Sequence, residues 1–93
     1  MSEPGHEDAR EFFDVANQFV GLANDLAEEH GRARVAAALL RAASLYGSFA
    51  WAMSGAPGRQ EPGEALDLFC ALYRNMMEDN LARMIAEFSA KPD

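Results

Sequence analysis

Cysteine, histidine and lysine are nearly missing from this chain, which has one Cys (Cys70), two His (His6 and His30) and a single Lys (Lys91) in 93 residues. A lone cysteine cannot form an intramolecular disulfide, and no charged-then-apolar signal segment precedes the first helical pattern, so the expected compartment is the cytoplasm. Cys70 lies among apolar residues and reads as an inert core thiol. His6 falls in the expected disordered head and His30 at a helix end, so neither is placed for a relay. Glu3 and His6 have the Glu-x-x-His spacing of di-iron bundles, but Pro4 and Gly5 argue against the helix that would present them together. Met53, Met76, Met77 and Met84 suit gap filling in a helical core better than soft-metal binding, because no His or second Cys accompanies them. The expectation is no metal and no cofactor.

Positive charge is also scarce. The net charge is -7 and the sequence pI ≈ 4.7, and Arg32 and Arg34 are the only close basic pair. No basic patch forms, which excludes a broad footprint on nucleic acid and disfavours an anionic membrane surface. Catalytic constellations are missing too: no nucleophile with its base, no oxyanion donor and no Gly-rich phosphate loop can be read from the chain. Glu28, Glu29, Glu78 and Asp79 read as solvated helix edges rather than paired acid–base carboxylates. The chain is therefore expected not to be an enzyme.

What the chain does have is apolar helical pattern, with 49% hydrophobic and 25% charged residues. Such a balance predicts one folded domain rather than a disordered segment. The stretch Val35 to Met53 contains one charged residue, Arg41, with Ser44 and Ser48 on the same narrow strip of the wheel. It is about as long as the ~20 residues of a bilayer span, but a central Arg costs roughly 2.5–3.5 kcal/mol there. A central core helix is the reading, with no membrane association. Ala36, Ala43, Gly47 and Ala50 line one strip of this helix, suiting close approach of a partner backbone. Close packing would compensate the ~1 kcal/mol that Gly47 costs against Ala.

The other elements follow from spacing. Asp8 and Glu11 match a capping box, Phe12, Val15, Ala16, Phe19, Leu22 and Leu26 recur at helical intervals, and Gly31 is a terminator. The spacing predicts helices over 8–30, 33–53 and 63–89, a disordered head over 1–7, a loop from Ser54 to Gly63 and a tail over 90–93. The short link after residue 30 predicts antiparallel neighbours. The expected fold is all-α, with three long antiparallel helices. Two covering helices cannot bury so apolar a central one, so homodimerisation into a six-helix bundle is expected, with Leu45, Phe49 and Trp51 as candidate interface residues. Asn80 falls on the apolar face of the third helix beside Tyr73, Met76, Met77 and Met84, and is expected to be a buried, hydrogen-bonded polar lock.

The stretches FFDVANQFVGLAND (Phe12 to Asp25), RVAAALLRAASLYGSFA (Arg34 to Ala50) and EALDLFCALYRNMMEDNLARMIAEF (Glu64 to Phe88) resemble a bacterial family known as domain of unknown function 3144. The family's closing YRxMLxxNL pattern appears as Tyr73, Arg74, Met76, Met77, Asn80 and Leu81. The resemblance implies a small cytoplasmic helical protein without an assigned activity. Arg41, Leu45 and Gly47 depart from the aromatic, Arg and Asn expected in the family's middle helix, so a polar site there would be lost or remodelled. The function expected from these readings is a self-associating, non-enzymatic interaction module that also binds a partner protein. The alternative is a carrier or sensor of a small apolar ligand held by Phe19, Tyr46, Tyr73, Met76, Met77 and Met84.

Overall fold

The computed structural model of the chain describes residues 4–89, and within them every element is helical. Helix α1 spans Pro4–His30, α2 spans Arg32–Met53 and α3 spans Pro62–Met84, with a 3-10 turn at Ala56–Gly58 and a π-helical turn at Ile85–Ser89. The chain has three Val, one Ile and no Thr, so little in it opposes helix through crowding at the β-carbon. The all-α expectation holds.

Boundaries moved by more than one residue in two places. Helix α1 begins at Pro4 rather than at Asp8, so residues 4–7, expected to be disordered, are helical. Proline is well tolerated in a first helical turn, because the N–H it lacks would have no intrahelical acceptor there. Pro4 and Gly5 therefore do not exclude helix as the sequence reading supposed, while Glu3 lies outside the described residues. At the other end α3 stops at Met84 and widens into the π-helical turn, where one continuous helix to Ser89 was expected. The expected tail, 90–93, and the first three residues lie outside the described residues.

The chain divides into two units, Met1–Ala50 and Trp51–Asp93. In the first, Gly31 alone separates α1 from α2, with φ 87. Its N–H donates to the Ala27 carbonyl at 2.9 Å, and its own carbonyl accepts from the Val35 N–H at 3.1 Å. One residue therefore ends one helical ladder and starts the next. Antiparallel helix hairpins use links of about two to five residues. The Gly31 link is shorter, and the apolar faces of α1 and α2 stay uncovered: Phe12, Phe19, Leu22, Leu39, Leu45 and Phe49 are all exposed.

In the second unit side chains close the break before α3. Trp51 Nε1 donates to Gln60 Oε1 at 2.8 Å. Ser54 Oγ donates to the Trp51 carbonyl at 2.7 Å and accepts from the Ala56 N–H at 3.2 Å. Pro62 opens α3, and Glu64 reaches back to accept the Glu61 N–H at 3.4 Å, the reciprocal half of a capping box. Among the described residues two are buried, Val35 at 9% and Ala65 at 5% exposure. Each is the fourth residue of its helix, the position over which an entering chain folds in a hydrophobic staple. Among the described residues, full burial is thus confined to the first turns of α2 and α3.

Candidate interaction surface

Taking about 100° per residue, Phe12, Val15, Phe19, Leu22, Ala23 and Leu26 gather within about a third of the circumference of α1. Phe13, Val20 and Ala27 border this face on one edge. Glu11, Asp14, Asp25 and Glu29 border the other. On α2 the matching face carries Val35, Leu39, Ala42, Tyr46, Phe49 and Met53, which alternate spacings of four and three as in a helix–helix seam. Arg34 and Arg41 lie along one edge of it, and α2 contains no acidic residue.

Apart from Val35, the large apolar side chains on these faces are exposed. Phe12 and Phe13 stack edge to face at 5.3 Å, and Tyr46 and Phe49 pair at 6.1 Å, so the aromatic pairs are between neighbours on one helix. The groove along α1 between Asp8, Glu11, Phe12, Val15, Ala16 and Phe19 has walls from that helix only. A β-carbon added at Gly47 would meet nothing within 4 Å, so no described residue makes the expected close approach at Gly47.

The candidate interface residues do not share one face. Leu45 and Phe49 are exposed on the apolar side of α2, whereas Trp51 projects from the opposite side and is half-buried, with its indole engaged by Gln60. Trp51 is therefore a corner residue, not a neighbour of Leu45. The expected burial of Asn80 is likewise absent from the single chain: Asn80 is exposed, and its Oδ1 accepts a hydrogen bond from Arg83 Nη2 at 3.1 Å. Its apolar neighbours on α3 are exposed with it. Phe19, Tyr46, Tyr73, Met76, Met77 and Met84 are each exposed as well, where an apolar-ligand site would enclose them. Cys70 is exposed rather than a core thiol.

Among the described residues no group of His, Cys, Asp and Glu is placed to hold a metal ion. One Arg–carboxylate ion pair occurs among them, Arg74 with Glu78 at 3.6 Å, and His30 Nε2 lies 3.7 Å from Glu29 Oε2. Helix α2 is long and apolar enough to cross a membrane by length and composition. Sequence reasoning missed the Trp51–Gln60 pair, although two prolines and three glycines around Gln60 signalled a compact turn. Comparison with known proteins gives one positive result. Residues 12–85 match the family described as "Protein of unknown function (DUF3144)". No curated protein and no solved structure matches the chain at a significant level.

Proposed function

Since the chain belongs to the DUF3144 family, which has no assigned activity to transfer, we propose a role read from its surface: a cytoplasmic, non-enzymatic helical module that works by self-association. The observation that carries this reading is the exposure of nearly every large apolar side chain, with Leu45 at 63% and Phe49 at 57%. Contiguous apolar surface of this kind marks an interaction site.

The arrangement we infer is a homodimer about a two-fold axis, six helices packed antiparallel, since cyclic dimers are the commonest closed assembly. Asn80 belongs on the covered side of α3 in that assembly, where its amide sets register among methionines. A partner protein would then dock on the assembled dimer. Sedimentation equilibrium tests the reading: a dimer mass at micromolar concentration supports it. A folded species of 10.2 kDa at all concentrations overturns it. Native mass spectrometry of the protein from its own host tests the ligand-free form of the module, because a retained small apolar molecule would mark a carrier.

A further inference from the structure

We propose that the two copies exchange helices, with α1 of one copy lying antiparallel on α2 of the other and Gly31 serving as the joint; this rests on the self-association proposed above. The first support is the length of the link. Gly31 is used by both helical ladders at once, through Ala27 and Val35, and leaves no chain with which α1 could turn back onto its own α2. The faces that such a hairpin would bury are intact and open. The same contacts can form between two copies, which is how exchange of an identical element makes a dimer.

Charge supplies the second support. Carboxylates dominate α1, while α2 carries Arg32, Arg34 and Arg41 and no acid. The Arg–carboxylate ion pair found among the described residues leaves the side chains of Arg34 and Arg41 without a carboxylate. Edge position then selects direction. Glu11, Asp25 and Glu29 follow the apolar face of α1 on the same rotational side as Arg34 and Arg41 follow that of α2. When two helices meet face to face, antiparallel packing brings like-handed edges together and parallel packing brings opposite edges together. An antiparallel pair therefore sets Glu29 and Asp25 near Arg34 and Arg41 of the second copy. A parallel pair would set those arginines against Phe13, Val20 and Ala27. Charges at these flanking positions are the ones that choose partner and orientation in helix pairs.

Two full-length variants test the exchange: Asp25→Lys/Glu29→Lys, which makes that edge of α1 basic, and Arg34→Glu/Arg41→Glu, which makes that of α2 acidic. Each is refolded alone and both are refolded together, then measured by native mass spectrometry and circular dichroism at low micromolar concentration. The expected result is that each alone dimerises at least about tenfold more weakly than the parent, since the two-fold axis doubles every repulsion. The mixture should recover helicity and form the 1:1 heterodimer in preference to either homodimer, because both helix pairs are then complementary. If the variants homodimerise like the parent and mix statistically, the α1–α2 pairing is overturned and the dimer stands. If each is impaired and mixing rescues neither, exchange is overturned, because pairing within one copy predicts that pattern. A parent chain that is folded and monomeric overturns the self-association reading itself.

Discussion

At the break between α1 and α2 a single residue, Gly31, is held by backbone bonds alone, whereas at the break between α2 and α3 residues 54–61 carry their own network of side-chain hydrogen bonds. The second break is specified locally. Trp51 and Gln60 are nine residues apart and satisfy one another, Ser54 holds the turn, and Glu64 returns to Glu61. The first break specifies only that a left-handed residue stands between two helices, because Gly31 offers no side chain to fix their directions. Local polar contacts can thus complete a corner without help. The long apolar faces beside Gly31 are not completed by this short link, and in the proposed dimer their cover comes from the second copy.

Substitutions can break this contrast, and the largest effect is expected on an open face. Leu45→Glu should split or unfold the dimer, at about 3–5 kcal/mol, the scale of an uncompensated buried charge. Denaturant unfolding with sedimentation reads it. A change within about ±0.5 kcal/mol would mean that Leu45 stays in water in the assembled protein too.

Asn80→Ala separates the single chain from the assembly next. If the α3 face is covered by a second copy, the loss leaves polar partners unsatisfied and costs about 1–3 kcal/mol. Exposed and bonded only to Arg83, as in one copy, it should instead leave the unfolding midpoint unchanged. Asn80→Leu should keep helicity while broadening the distribution of oligomers seen by native mass spectrometry.

Gly31→Ala probes the corner that lacks side chains. Its φ of 87 costs a residue with a β-carbon about 1–2 kcal/mol. Thermal unfolding should show that loss, and Gly31→Asn should show less of it, because Asn tolerates the left-handed region. The smallest effect belongs to the self-contained corner. Gln60→Leu should cost about 0.5–1.5 kcal/mol by removing the acceptor of the indole N–H. As the chain has one Trp, its fluorescence should report this change directly while dimer mass stays constant.

Helix identity was legible because it is local. The i, i+3, i+4 recurrence of apolar residues, the stop at Gly31, and the Pro62 and Glu64 start of α3 all act within one or two turns, and α2 and α3 begin within a residue of where the spacing puts them. The early start of α1 was missed because Pro4 and Gly5 signal a break in most contexts, and a proline in a first helical turn is the exception. The candidate surface was half legible. Leu45 and Phe49 emerge from the width of the apolar arc, but Trp51 was grouped with them by residue type, although it projects from the other side of α2.

The amino-acid sequence by itself determined the helices, their apolar faces and the opposed charge of α1 and α2, since each depends on residue type and a period of 3.6. Only the tertiary structure decided which of those faces one copy covers. It buries Val35 and Ala65 at two helix starts, joins Trp51 to Gln60, and leaves Asn80, Leu45 and Phe49 in solvent. The physical reason is that a helical ladder closes within four residues, while burial of a side chain depends on whether the links are long enough to bring a second surface onto it.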